Sequence, residues 1–385
     1  MQFLLQVLLF FFCVINSHAT GTKDRNCGQD PANIWLDVVI VVDNSKAMTS
    51  KDLQLVSTNI VEVWDKGTRI GTNYDDPRTT RVGLVTYNQD ATVAADLNKF
   101  QSFQDLQTGA KSALSVGATT DQSFLAKGLV AAEQLLTTGR SNNHRSNYKP
   151  LIIVYAATYQ STNDSDPVIV ADRLKNNGIN IAVVDMIKIR KDKELGILLS
   201  NIASSDYFYP YSWYTVDDLQ GAIFHVNCYC RDNWTDFHAL GLDYKSGVCI
   251  RAFNQTASWQ VAKLSCQSLV ANGYLVTDFT DDKHQFLQSL FQNTTGSTFG
   301  YHIGLTYANG GWYWQQPVGQ QLIQLDNLPD YIYWNIGFPR SPASMPGVAT
   351  VTAGVQTGWE NINVNNINKN YICEVNACDT DNYCS

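Results

Sequence analysis

The most constraining feature of this chain is a set of short runs, built almost wholly from Val, Ile and Leu, that recur between segments of helical periodicity. Residues 34–42 are apolar except at Asp37, and 81–87, 151–156 and 179–184 have similar character. A strand that is apolar on both faces is stable only where both faces of its sheet are covered. Helical periodicity appears at 51–64, 122–136, 167–176, 191–202 and 216–224. Strand and helix in alternation predict right-handed crossovers and an α/β doubly wound, mostly parallel sheet with helices on both sides. In such a sheet ligands bind in the crevice at the carboxyl ends of the strands.

From Cys228 onward the pattern changes. Two helices are predicted early, over 258–269 and 281–291, with Ser258 and Thr280 as N-caps. Trp259, Ala262, Cys266 and Leu269 recur at helical spacing, which turns Cys266 toward the core. Beyond Thr295 the chain holds short aromatic segments among Gly, Pro and Asn. That grammar predicts an α+β domain of small strands and long structured loops. The expected layout is a leader over 1–19, a first domain over 28–227, a second over 228–377 and a tail over 378–385.

Residues 1–19 are apolar from Phe3 to Ile15 and end in Ser17-His18-Ala19, as a secretory signal peptide cleaved after Ala19 would. The run is shorter than the ~20 residues a membrane-spanning helix needs, and no later stretch is apolar enough for membrane insertion. The reading is a secreted, extracellular protein. Of nine cysteines, Cys13 leaves with the leader, and the even remainder predicts disulfides in an exported chain. The cysteine spacing, with no nearby His, does not suit zinc. Sequons at Asn163, Asn233, Asn254 and Asn293 are candidate glycosylation sites. A net charge of −8 without a Lys/Arg stripe gives no electrostatic basis for binding nucleic acid or anionic membrane. HExxH, GxSxG, P-loop and GxGxxG motifs are absent from the sequence, so no catalytic residue is assigned and no enzyme is expected.

The first predicted strand ends in Asp43-Asn44-Ser45-Lys46-Ala47. This resembles the DxSxS metal loop of von Willebrand type A domains, and the order of elements over 34–224 is similar to that family. The resemblance implies a divalent cation, usually magnesium, held by two loop serines, a threonine from a later loop and an aspartate after the fourth strand. Asp43 and Ser45 match the first loop positions; Thr119 matches the threonine, with Thr120 as a fallback. Ala47 stands in place of the second serine and Ala156 in place of the aspartate. A hard cation wants about six oxygen ligands, so the resemblance implies a degenerate, empty site, with Asp121 or Asp164 as alternative donors. It also implies a bridge from Cys27 to Cys228 that closes the domain, with Cys230 as a competitor.

The second half resembles a C-type lectin-like domain. Cys230-Arg231-Asp232-Asn233-Trp234 with Ser246-Gly247-Val248-Cys249 is similar to the family's opening hairpin. Residues 258–266 match its first helix, His302-Ile303-Gly304-Leu305 its central strand, Gly311-Trp312-Tyr313-Trp314 the strand after it, and Tyr371-Ile372-Cys373-Glu374 the last one. The implied bridges are Cys230 to Cys249 and Cys266 to Cys373, leaving Cys378 and Cys384 for a small terminal loop. In the family, calcium binds sugar through an EPN or QPD tripeptide and a WND tripeptide. Here Phe338-Pro339-Arg340 and Trp359-Glu360-Asn361 stand in those places. Glu360 and Asn361 keep a carboxylate and an amide, too few for the six to eight oxygens that calcium takes. Metal-free binding through aromatic faces makes Trp334, Pro339, Arg340 and Trp359 the ligand candidates, while most of Trp312, Trp314, Trp334 and Trp359 are expected inside, since the resemblance places them at core positions.

The whole chain is similar to secreted nematode proteins that join these two domains. That resemblance implies recognition of a glycan or protein ligand on a cell or microbial surface, in innate defence, with no cofactor expected and calcium or magnesium as the ions that would contradict this. The alternative is a protein-binding adhesion module acting through the first domain.

Overall fold

The computed structural model describes residues 24–384 except 65–66, 74, 141–144, 159, 162–165, 188–192, 212–213, 239–244, 298–299, 326–331 and 355. The leader, Asn163 and Asp164 lie outside the described residues.

The first domain runs β1 (Leu36–Asp43), α1 (Ser50–Trp64), β2 (Arg81–Tyr87), β3 (Ala91–Ala95), α2 (Phe103–Ala113), α3 (Leu125–Gly139), β4 (Lys149–Ala156), α4 (Pro167–Asn176), β5 (Asn180–Asp185), α5 (Lys193–Ile202), β6 (Phe208–Pro210) and α6 (Val216–Val226). The sheet order is β3-β2-β1-β4-β5-β6, parallel except for the antiparallel edge strand β3. Alternation along β1 explains the all-apolar run. Val38, Ile40 and Val42 pack with α1, α2 and α6 on one face, while Val39 and Val41 pack with α3, α4 and α5 on the other. Helix α2 was not foreseen, because its stripe is thin: only Leu106 and Ala110 are buried. Helix α3 starts at Leu125, later than the periodicity suggests. The residues before it are held as loop, since the Phe124 N–H donates to the Asn88 carbonyl (2.9 Å) and the Ser123 hydroxyl is drawn to Asp43 (3.2 Å).

Asp37, the one polar break in β1, is fully buried. Its carboxylate accepts from Arg81 (Nε 2.9 Å, Nη2 2.8 Å) and from Arg145 Nε (2.8 Å).

The second domain contains β7 (Thr235–Asp236), β8 (Val248–Ser258), α7 (Trp259–Leu269), β9 (Tyr274–Leu275), α8 (Asp281–Thr295), β10 (Tyr301–Ala308), β11 (Gly311–Trp314), β12 (Ile323–Gln324), β13 (Gly347–Ala353), β14 (Gln356–Ile362) and β15 (Asn368–Asn376). Strands β8 and β15 pair antiparallel, and β10 joins β15 to the smaller strands. The disulfides are Cys27–Cys228, Cys230–Cys249, Cys266–Cys373 and Cys378–Cys384, so Cys230 does not compete for Cys27. Among the described residues, the grouping with metal-ligating spacing is Cys230, Asp236 and Cys249. Its two sulfurs are bonded to each other and cannot ligate an ion.

The segment ahead of β1 does not stay with its own domain. Asn26 bridges to Ser246, and the carboxylate of Asp24 is buried in the second domain against Lys283, which also binds Glu374 Oε2 at 2.9 Å. Thr277 Oγ1 and Tyr274 OH donate to Glu374 at 2.9 and 2.7 Å. Two carboxylates thus share one buried ammonium. Burial pushes the Asp24 carboxyl up to about 6, against the lowering effect of Lys283 and with the repulsion of Glu374 added. Between pH 4 and 6 the folded chain therefore holds a proton that the unfolded chain has released. This group makes the fold gain stability as pH falls through that window and lose it as pH rises, by up to about 1.4 kcal/mol per pH unit. Asp24→Asn should flatten that slope in denaturant unfolding followed from pH 4 to 7; an unaltered profile would contradict the assignment.

Candidate functional site

The order of the first sheet reverses between β1 and β4, so the crevice opens where Asp43 ends β1 and Ala156 ends β4. Asp43 and Ser45 are both fully buried there. Asp43 Oδ1 accepts from the Ser45 N–H (2.8 Å) and Oδ2 from the Ser123 hydroxyl (3.2 Å). Burial raises the Asp43 carboxyl above its ordinary value, with these hydrogen bonds opposing the shift. Ser123 was not singled out in the sequence; a hydroxyl just ahead of a helix is too common a signal to read.

Thr119 is exposed, and the contact that closes the loop is made by the neighbouring backbone, the Lys46 N–H donating to the Thr120 carbonyl at 2.9 Å. The Thr120 hydroxyl accepts from the Gln122 N–H (3.2 Å). Lys46 Nζ lies 3.4 Å from Asp121, which engages the alternative donor and sets an ammonium at the rim. A cation here would have one carboxylate, already accepting twice, and hydroxyls from Ser45 and a threonine. Ala47 and Ala156 add no side-chain oxygen. This donor set does not fit a hard ion that wants six oxygens.

In the second domain, the stretch 332–340 lies against β14. Trp334 bridges to Trp359, the Asn335 N–H donates to the Trp359 carbonyl (3.0 Å), and the Trp359 N–H to the Tyr333 carbonyl (2.6 Å). Gly358 permits this approach: a Cβ there would come within 2.4 Å of Asn335 Oδ1 and 2.7 Å of the Tyr333 carbonyl. The Phe338–Pro339 peptide is cis. Trp359 has no exposed surface, and its indole N–H donates to Asp278 at 2.8 Å. It is a core residue, which corrects its placement among the ligand candidates. Trp314 is likewise fully buried. Trp334 and Trp312 are half-buried and pack on each other at 4.9 Å.

Glu360 and Asn361, which the resemblance matches to calcium ligands, are engaged with the protein itself. Asn361 Oδ1 accepts from the Arg340 N–H (2.6 Å), and Asn361 Nδ2 donates to the Arg340 and Met345 carbonyls (2.6 and 2.9 Å). Glu360 Oε1 accepts from Asn335 Nδ2 (3.0 Å). What faces solvent is of another kind. Ile336 is 96% exposed, Pro339 and Arg340 are exposed, and the Arg340 guanidinium lies 4.2 Å from the centre of the Phe338 ring.

Beneath this loop, His284 Nδ1 meets Asp278 Oδ2 at 2.7 Å and its ring packs 4.3 Å from that of Tyr333. Burial works against the charge on His284, but the bond to Asp278 holds its pKa above the ordinary value. Asp278, His284 and Asn335 were not foreseen: the first two come from an earlier part of the domain and meet Trp359 and Tyr333 only in the fold, and Asn335, within the loop, is fixed by its bond to Glu360.

Comparison with known proteins agrees with this architecture. The von Willebrand factor type A domain family matches residues 37–222, and the lectin C-type domain family matches residues 255–375. The chain is a von Willebrand factor type A domain followed by a C-type lectin domain. A curated relative, C-type lectin domain-containing protein 160 of Caenorhabditis elegans, is 24% identical over 94% of this chain and 56% of its own length. This chain thus spans little more than half of that relative. Among solved structures, proximal thread matrix protein 1 from the mussel byssus, with a zinc-occupied MIDAS motif, is 18% identical, with a TM-score of 0.41 over 50% of this chain and 47% of that one. The C-type lectin domain of murine dendritic cell inhibitory receptor 2, in complex with N-glycan, is 20% identical, with a TM-score of 0.30 over 38% and 98%. Type A domains often carry a metal ion at the loop after the first strand, so the donor shortage here is a departure within the family.

Because Asn361 is buried and holds three backbone groups, Asn361→Ala should lower the stability of the lectin domain by about 1–3 kcal/mol and speed hydrogen exchange at the Arg340 amide. Unchanged exchange at Arg340 would show that the side chain does not organise this loop.

Proposed function

We propose that this chain is a secreted ligand-recognition protein whose lectin domain engages a glycan, or another surface ligand, through the 332–340 loop and without a bound metal ion. The observation that carries this reading is the use of Glu360 and Asn361 as internal struts, bonded to Asn335, Arg340 and Met345. A calcium ion would have to break those bonds and still find most of its oxygens elsewhere. In their place the loop offers an isoleucine at its tip, a cation stacked on an aromatic ring, and the half-buried indoles of Trp334 and Trp312 behind it. Such a face suits a ligand with an apolar side and hydrogen-bond acceptors or acidic groups.

The A domain serves in this reading as a partner domain rather than the main contact, since the shortage of oxygens around Ser45 leaves no ion to capture an acidic side chain. Extracellular placement accords with four disulfides and with exposed sequons at Asn233, Asn254 and Asn293. Among the described residues, no helix is long and apolar enough to cross a membrane. Innate defence is the setting that the family resemblance suggests, and no catalytic role is proposed.

A glycan array probed with the secreted protein, with and without EDTA, tests this. Bound glycans should survive chelation, and Arg340→Glu or Ile336→Asp should weaken them about tenfold or more, ~1.4 kcal/mol. Binding abolished by EDTA would overturn the metal-free reading, and binding indifferent to both substitutions would remove the loop from the site.

A further inference from the structure

At the opposite end of the A-domain sheet from the Ser45 loop, one buried cluster sets two arginines against a single aspartate. Arg81 opens β2 and pairs in register with Asp37 of β1, and Arg145 precedes β4. Both arginines are buried, with 4% and 7% of their surface exposed, and Asp37 is the carboxylate that both share. The two guanidiniums line one cavity of about 380 Å³, together with Thr72, Asn98, Tyr148 and Tyr383 among others, and no Asp or Glu is among the described lining residues.

The hydrogen bonds of this cluster leave donors over. Arg81 Nη2 serves Asp37 and the Gly139 carbonyl, whereas its Nη1 has one long bond, to Asn98 Oδ1 at 3.4 Å. Arg145 Nη2 serves the Leu36 and Thr79 carbonyls, while Nη1 has one bond, to Thr79 Oγ1 at 3.2 Å. Each Nη1 carries two hydrogens, so among the described residues one on each arginine lacks an acceptor. The Thr72 hydroxyl is also buried without a partner. Buried charge is ordinarily paired, and unspent guanidinium N–H groups around a cavity match the oxygens of sulfate, phosphate or carboxylate.

We propose that this cavity is an oxyanion-binding site, built on Arg81 and Arg145 with Thr72 as a further donor, and separate from the lectin loop. The anion completes the charge balance that Asp37 meets only by half. Tyr383, on the tail that follows the lectin domain, lines the same cavity, so the occupant sits where that tail meets the A domain and stabilises the contact when bound. A free inorganic ion and a sulfate group carried on a sugar present the same chemistry to these donors.

The test uses the full secreted chain with its disulfides intact. Thermal unfolding is compared in sulfate, phosphate and chloride at matched ionic strength, and phosphate affinity is measured by calorimetry. Sulfate stabilises proteins generally by exclusion from their surface, so the decisive comparison is between variants. Asn98 is exposed and already touches Arg81, so Asn98→Asp supplies a carboxylate in place of the anion, whereas Asn98→Leu does not. Wild type and Asn98→Leu should gain ~2–4 °C in phosphate over chloride, and Asn98→Asp should gain nothing while melting higher in chloride. Thr72→Val, which keeps the charge but removes the free hydroxyl, should bind phosphate several-fold more weakly. An equal gain in wild type and Asn98→Asp, or no calorimetric binding by wild type, would overturn the proposal. A heparin-derived disaccharide that binds wild type more tightly than inorganic sulfate by calorimetry assigns the group to a glycan; the reverse order of affinity assigns it to a free ion. Lectin-loop substitutions such as Arg340→Glu should leave all of these shifts intact, which keeps this outcome distinct from that of the glycan array.

Discussion

Asp379 ties the two ends of the chain together, and the arrangement of both domains follows from it. Its buried carboxylate accepts from the Arg25 guanidinium at 2.7 Å and from the Gly28 N–H at 2.8 Å, and its carbonyl accepts from the Trp35 indole at 3.2 Å. The same carboxylate takes the N–H groups of Asp381 and Asn382, each at 3.0 Å, and so shapes the loop closed by Cys378–Cys384. Gly28 is required at this contact, since a Cβ would lie 2.4 Å from Thr380 Oγ1. Around it Trp35 packs edge-on against Tyr148, Tyr229 and Tyr383. The junction is thus a small core of its own, with aromatic surface and hydrogen bonds drawn from both domains.

That junction gives meaning to features that look incidental within either domain. Cys27–Cys228 closes the A domain at its base, and a cross-link over 201 residues of chain removes much loop entropy from the unfolded state. With Cys27 fixed, the three residues ahead of it are directed onto the lectin domain, where Asp24 meets Lys283 and Glu374. A buried ammonium between two carboxylates contributes less to net stability than to specificity, because removing Lys283 would leave two buried carboxylates without a cation. The lectin loop therefore projects from a domain held against the A domain at both of its termini.

Much of this architecture was legible in the residues. The Val/Ile runs, the helix periods and the change of pattern at Cys228 state which segments are strands and helices, because burial on one or both faces writes itself into local composition. Missing donors are legible too: Ala47 and Ala156 carry no side-chain oxygen whatever the fold does. Ser123, Asp278, His284 and Asn335 were illegible, since each acts through a contact between residues far apart in sequence. Trp359 was read as a ligand contact because aromatic residues in a binding motif and in a core look alike until their exposure is known.

The sequence by itself determined the central strands and the strongly periodic helices, the two-domain order and the missing side-chain oxygens at Ala47 and Ala156, all of which depend on side-chain chemistry and short-range periodicity. Only the tertiary structure decided how the remaining polar groups are used: Glu360 and Asn361 as struts, Asp37 shared between two arginines, Asp24 inserted into the neighbouring domain. Those choices depend on which distant groups arrive within about 3 Å of one another, and a linear pattern carries no distances.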